Sequence, residues 1–137
     1  MSQDAKPAPV MAIDAWEDPL TANLTAAFPE VSFEFGQFRG QPFAVIPSSQ
    51  VVGIAQHLRD REDFRFFTDL TVVDWPNAPA RFEVVIHLYS PAKNSRIRLK
   101  SRVADGDEFP TLSSLFPAAN WLEREAFDMF GVRFAGH

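Results

Sequence analysis

Apolar residues fall at two spacings along this chain, and the changes between them mark out its elements. Leu20, Leu24, Ala27 and Phe28 form a helical stripe behind Asp18-Pro19, a pair suited to an N-cap and a first helical position. Pro29 ends that helix, since it has no amide hydrogen to continue the ladder. Over residues 31–38 the spacing drops to two, with Val31, Phe33 and Phe35 on one face and Ser32 and Glu34 on the other. Arg39-Gly40 leads into a second short run, residues 43–46, which predicts two strands joined as a hairpin. Pro47-Ser48-Ser49 stops that run, and a serine is placed to cap a second helix through about Asp60, in which Val51, Ile54, Ala55 and Leu58 return to the helical spacing. Residues 64–75 are apolar on both alternating faces, the pattern of an interior strand covered on part of each side, closed by Asp74-Trp75-Pro76.

The next two segments determine their own register. In residues 81–89 the even positions Phe82, Val84, Ile86 and Leu88 are apolar, and in residues 96–103 the odd positions Ile97, Leu99 and Val103 are. A hairpin turning through residues 91–94 faces Ile86 with Leu99 and Leu88 with Ile97. It also sets Glu83 opposite Arg102, Val85 opposite Lys100, His87 opposite Arg98 and Tyr89 opposite Arg96. Asp105-Gly106-Asp107-Glu108 lacks the further spaced oxygen ligands of a calcium loop and reads as an acidic turn. Residues 111–116 are expected to hold a short helical piece, and Pro117 to open the last helix. The order α-β-β-α-β-β-β-α predicts an α+β domain of two layers, with helices packed on one face of a mixed β-sheet. Residues 1–16, rich in Ala and Pro with little to bury, read as a flexible leader, which leaves 17–137 as a single domain.

Composition narrows the chemistry. A length of 137 residues suits one hydrophobic core, and fourteen Phe against one Tyr predict that it is Phe-rich. With no Cys, disulfides, thiolate zinc sites and cysteine-held iron–sulfur clusters are excluded for this chain. A net charge of -5 argues against general nucleic-acid binding. No apolar run is long enough to span a bilayer as a helix, and residues 1–15 lack the apolar block of a secretory signal. His57, His87 and His137 have no metal-ligand spacing, and neither a nucleophile elbow, a dinucleotide fingerprint nor a phosphate loop is present. Arg96, Arg98, Lys100 and Arg102 lie at spacing two on one strand face, which is either a solvated sheet face or a docking face for an acidic partner.

The last stretch is the dense one. On a helical period Leu122, Ala126, Met129 and Phe130 share one side, Glu123, Phe127 and Phe130 an adjoining one, and Trp121, Glu125 and Asp128 a third. Apolar residues thus cover well over half of the circumference, so the helix needs cover on more than one side. Arg124 and Asp128, four apart, are placed to pair, and Gly131 suits the left-handed position that ends a helix before an extended tail, residues 132–134. Carboxylates held among aromatics have raised pKa values, so an acid–base enzyme using Glu123, Glu125 and Asp128 is one reading; without a nucleophile or pocket, an interface held in register is the other.

Ala119-Asn120-Trp121, Glu123-Arg124-Glu125, Phe127-Asp128-Met129-Phe130-Gly131-Val132, Phe134 and Gly136-His137 together resemble, at fixed spacing, the signature of the C-subunit family of proton-pumping NADH:quinone oxidoreductase, respiratory complex I. Such a long match is far more specific than a short glycine motif. Asp74-Trp75 and residues 81–88 also look like family positions, so the resemblance runs from about Phe64 to His137. Family members continue past Gly-His with a proline and a basic segment, which the residues up to His137 do not include.

The resemblance implies a structural component of the hydrophilic arm that binds no cofactor itself. The NADH, flavin, iron–sulfur clusters and quinone belong to the assembled complex. Its implied neighbours are the complex I subunits B, D and I, of which D forms the quinone site and B and I carry iron–sulfur clusters, with membrane association indirect, on the cytoplasmic side. The expected partner interface comprises Trp121, Glu123, Arg124, Glu125, Phe127, Asp128, Phe130, Phe134 and His137. The equivalent component of a membrane-bound hydrogenase or related oxidoreductase is the nearest alternative.

Overall fold

The register expected for residues 81–103 is the one found. In the computed structural model, which describes residues 13–137, Glu83 pairs with Arg102, Val85 with Lys100, Ile86 with Leu99, His87 with Arg98, Leu88 with Ile97 and Tyr89 with Arg96. In chain order the elements are β1 (Ile13–Asp14), α1 (Pro19–Ala27), β2 (Glu34–Phe38), β3 (Gln41–Val45), a 3-10 turn (Ser48–Gln50), α2 (Val51–Arg61) and β4 (Phe66–Asp74). There follow β5 (Phe82–Ser90), β6 (Ser95–Val103), β7 (Glu108–Pro110), α3 (Ala118–Phe130) and β8 (Arg133–Ala135). The main sheet runs β1-β2-β3-β6-β5-β4, antiparallel throughout except where β3 meets β6. It is therefore mixed, as expected. Leu20 and Leu24 of α1, Val51, Ile54, Ala55 and Leu58 of α2, and Ala119 and Ala126 of α3 join one core cluster with Val84, Ile86, Leu88, Ile97 and Leu99. The three α-helices of the described residues thus cover the same face of the sheet.

Local chemistry accounts for most boundaries. The Asp18 carboxylate accepts from the Leu20 N–H at 2.9 Å, Thr21 completes the capping box, and Pro19 occupies the first turn. Arg39 and Gly40 both take positive φ, the mirror-image two-residue turn that matches strand twist, and they join β2 to β3. Gly131 ends α3 in the left-handed conformation at φ 77°.

Four expectations need correction, and one element has a partner that the pattern did not signal. No serine caps α2: the 3-10 turn satisfies the backbone instead, with the Gln50 N–H donating to the Pro47 carbonyl at 3.0 Å. Residues 111–116 form turns rather than a helical piece, because the Thr111 hydroxyl accepts from the Ser113 N–H at 3.1 Å and competes with helical bonding. Among the described residues the strand within residues 64–75, β4, is not interior but an edge of the sheet. Its second apolar face carries Phe66, Val73 and, just past the strand, Trp75, all left exposed, so both-face apolarity here reflects a surface that no second layer covers among the described residues. The tail has a partner the pattern did not signal: β8 pairs in parallel with β7, and Phe134 meets Phe109 edge-on at 5.9 Å. Finally, Ile13 and Asp14 pair with Phe38 and Gln37, and Trp16 packs against Phe35, so residues 13–16 are not a leader; for residues 1–12 that expectation lies outside the described residues.

Glu123 ties α3 to the segment before it. Its side chain is buried, and its carboxylate accepts from Thr111 Oγ1 at 2.5 Å and from the Leu112 N–H at 2.8 Å. Burial raises its pKa above the ordinary glutamate value, against the pull of those two hydrogen bonds and of His137. A raised folded-state pKa means that Glu123 supports the fold below its unfolded pKa and loses that contribution as pH rises through the folded value. Glu123→Gln keeps an acceptor for Leu112 and an amide donor for Thr111 without the charge. Urea midpoints between about pH 4 and pH 8 should therefore move in favour of the Gln variant as pH rises. Glu123→Ala strands a buried donor and should cost about 2 kcal/mol or more at any pH in that range. A Cβ on Gly36 would sit 2.7 Å from Phe43 Cζ and 3.2 Å from Ile13 Cγ2, so Gly36→Ala should lower stability by about 1–3 kcal/mol in the same urea titration.

Candidate partner-docking site on the last helix

The helix that the sequence marks as over-apolar is covered on one side only. Ala119, Glu123 and Ala126 are buried, Leu122 and Phe130 are half-buried, and Phe130 packs edge-on to Phe82 with ring centroids 6.4 Å apart. Trp121 is 66% exposed, Phe127 48% and Met129 69%. Met129 thus parts from the stripe assigned to it, of which Leu122, Ala126 and Phe130 face the core. Arg124, Glu125 and Asp128 are exposed among these side chains. No ion pair joins Arg124 to Asp128 in the structure; an exposed pair gains too little to hold two side chains in place.

Grooves flank the helix. Between α3 and the β7–β8 ribbon lies a cleft of about 460 Å³ lined by Glu108, Arg124, Phe127, Asp128, Arg133, Phe134 and His137, with Glu123 at its floor. Between α3 and the edge strand β4 a second groove of about 380 Å³ is lined by Asp69, Thr71, Glu125, Met129 and Phe130, among others. Glu123 and Asp128 therefore line one side of the helix and Glu125 the other, so the three carboxylates are not gathered for acid–base chemistry. Glu123 and Phe134 are buried within the chain itself, and His137 Nε2 lies 2.9 Å from the Asn120 carbonyl, which holds the last residue against α3.

The remaining candidates are scattered. His57 stacks edge-on against Phe28 at 5.6 Å, His87 lies on the sheet and His137 at the tail. Among the described residues no group of three His, Cys, Asp or Glu is placed to hold a metal ion, and no helix is long and apolar enough to cross a membrane. The acidic stretch at residues 105–108 is a turn leading into β7, where Asp105 takes Arg81 Nη1 at 3.4 Å. Arg81 also forks onto Asp74 at 2.7 and 2.9 Å, which lowers the Asp74 pKa and clips the end of β4 to β5. The basic stripe lies on the sheet face opposite the helices. Burial lowers the pKa of Arg98, Lys100 and His87 there. Sequence reasoning missed the exposed Phe66, Val73 and Trp75 on that face, although apolarity at both alternations of one strand was their signal.

Comparison with known proteins agrees with this architecture. The NADH-quinone oxidoreductase C subunit of Caulobacter sp. (strain K31) is 39% identical over 127 residues, covering 91% of this chain and 58% of that protein. The Rhodobacter capsulatus protein of the same name is 44% identical over 101 residues, covering 72% of this chain and 51% of its own. The chain thus spans between half and six-tenths of the length of these relatives. Among solved structures, a trypsin-resistant fragment of Nqo5 superposes with a TM-score of 0.75 at 29% identity, covering 87% of this chain and 95% of the fragment. A chain of a membrane-bound sulfane sulfur reductase, an archaeal respiratory membrane complex, shares the fold with a TM-score of 0.75 at 24% identity, covering 87% of this chain and 70% of its own. The family described as respiratory-chain NADH dehydrogenase, 30 Kd subunit, matches residues 44–137, and the chain belongs to that family.

Proposed function

We propose that this chain is a structural component of the hydrophilic arm of a proton-translocating NADH:quinone oxidoreductase, peripheral to the cytoplasmic side of the membrane. It binds no cofactor of its own and braces subunits B, D and I, which carry the quinone site and iron–sulfur clusters. The observation that carries this reading is the ridge of α3, where Trp121, Phe127 and Met129 stand exposed beside Arg124, Glu125 and Asp128. Large apolar side chains left exposed across the outward side of a helix mark an interaction surface, and Trp with Arg is the composition of a docking hot spot.

The way the helix is held supports the same role. Its one buried carboxylate, Glu123, is engaged by Thr111 and Leu112 and fixes the helix against its own domain. The outward residues are then presented without movement, so a partner meets a preorganised surface and loses less entropy on docking. Within the complex such a brace sets the geometry between the iron–sulfur chain and the quinone site, while the NADH, flavin, clusters and quinone are held by other subunits. Phe130, Phe134 and Glu123 support the docking surface from beneath, and Trp121, Arg124, Glu125, Phe127 and Asp128 form its contact rim, with His137 at the end of the cleft.

An affinity pull-down of the tagged chain from gently solubilised host membranes should recover subunits B, D and I with NADH:quinone activity. Recovery with hydrogenase subunits would move the protein to that branch, and recovery alone would remove the bracing role. Trp121→Ala with Arg124→Ala should reduce co-purification by roughly thirtyfold or more, the loss of about 2 kcal/mol at a hot spot. Intact assembly with lost turnover in Arg124→Ala would argue for chemistry at this helix and against a brace.

A further inference from the structure

The sheet face opposite the helices is left uncovered by the described residues, and its central strand β6 carries Arg96, Arg98, Lys100 and Arg102 at alternate positions. Of these four cations only Arg102 has an ion-pair partner among the described residues, Glu83 at 3.8 Å. The other acidic side chains in register on this face are Asp69 on β4 and Glu34 on β2. Each lies two strands from β6, or about 10 Å, where screening removes most of the attraction. Asp69 is further occupied by the Leu70 N–H at 2.8 Å.

Three of the four cations lie over aromatic rings. Lys100 Nζ lies 4.3 Å from the ring centre of Phe43, and the guanidinium carbons of Arg96 and Arg102 lie 5.2 Å from Tyr89 and from Trp75. At the middle of the face, the register partners His87 and Arg98 keep Nε2 and Nε buried without a hydrogen-bond partner, although Arg98 Nη2 reaches the Gln41 carbonyl at 3.1 Å. Burial lowers the pKa of Arg98, and burial lowers that of Lys100 despite the opposing pull of Glu83, the mark of charge held in a poor solvent. Native structures rarely leave such groups unpaired. Phe66, Val73 and Trp75 expose apolar surface around the stripe, the aromatic and arginine composition of a protein contact.

We infer that this face is a second docking surface, and that its occupant is an acidic extended segment of a neighbouring protein in the complex, with carboxylates at alternate residues. In an extended chain alternate side chains repeat about every 7 Å, the same repeat that β6 imposes on its cations. The inference rests on the assembly reading above, but it uses the opposite side of the molecule from α3.

The test is zero-length carbodiimide coupling on the assembled complex, which joins Lys100 to a carboxylate in contact with it, followed by mass spectrometry. The expected product links Lys100 to an Asp or Glu of another chain. In parallel, Arg96→Glu with Lys100→Gln should reduce recovery of that chain at least about tenfold, and high salt should do the same to the unaltered protein. Coupling of Lys100 to Glu83 alone, or full recovery of partners by the double variant, would overturn the inference while leaving the α3 surface intact. Protection of Lys100 in the complex without any coupled protein carboxylate would overturn it in favour of a phosphate-bearing surface. A chain that co-purifies with nothing would remove both docking surfaces together.

Discussion

Ile86 faces Leu99 and Leu88 faces Ile97 only in one register of β5 against β6, and every surface of the chain follows from that pairing. A slip of one residue would turn Val84, Ile86 and Leu88 away from the helices and bring Glu83, Val85 and His87 into the core. The cost of burying Glu83 without a partner in that alternative leaves the observed register without a close competitor. Once it is set, β3 joins β6 in parallel, β4 joins β5, and the three helices have a single apolar floor on which to pack. The same pairing collects the four cations of β6 on the other side. Core and cationic face are therefore two results of one alternation.

The last helix works under a different constraint. Its inner side is narrow, Ala119 and Ala126 being small enough for close approach, and this contact leaves Trp121, Phe127 and Met129 without cover. A helix with so much exposed apolar surface gains from a further fastening. Glu123 supplies it, by accepting two hydrogen bonds from residues 111 and 112 at the cost of burying a carboxylate. The strand β8 supplies a second fastening, since it returns the chain beyond Gly131 to pair with β7.

How far these features could be read from the sequence depended on whether a position answers to a local or a distant partner. The hairpin register was legible because both strands alternate strictly, and the start of α1 because Asp18, Pro19 and Thr21 act within one turn. The edge position of β4 was not legible: alternation in Phe66, Phe67, Leu70, Val72 and Val73 records which residues are apolar, not whether a neighbouring strand exists. Glu123 and Glu125 differ by two positions on one helix and look alike in sequence, yet one meets Thr111 and Leu112 while the other lines an open groove. Residues 111–112 matter only through tertiary contact. The β7–β8 pairing is hidden for the same reason, each strand being three residues long.

The division of labour between the two faces has a physical logic. Apolar contact on α3 and charged contact on β6 respond differently to salt: the first is indifferent or strengthened, while the second weakens. A protein that meets its partners through both is guided by long-range charge on one side and retained by desolvated aromatics on the other. Because the sheet between them is a close-packed core, a shift imposed at one face has little compressible material in which to dissipate. The internal bonds of Glu123 and the aromatic supports of Lys100, Arg96 and Arg102 hold the two sets of contact groups in position before any partner arrives. That is the property the proposed brace requires: its contact groups are ordered during folding, so that partners docked on either face would inherit a fixed separation.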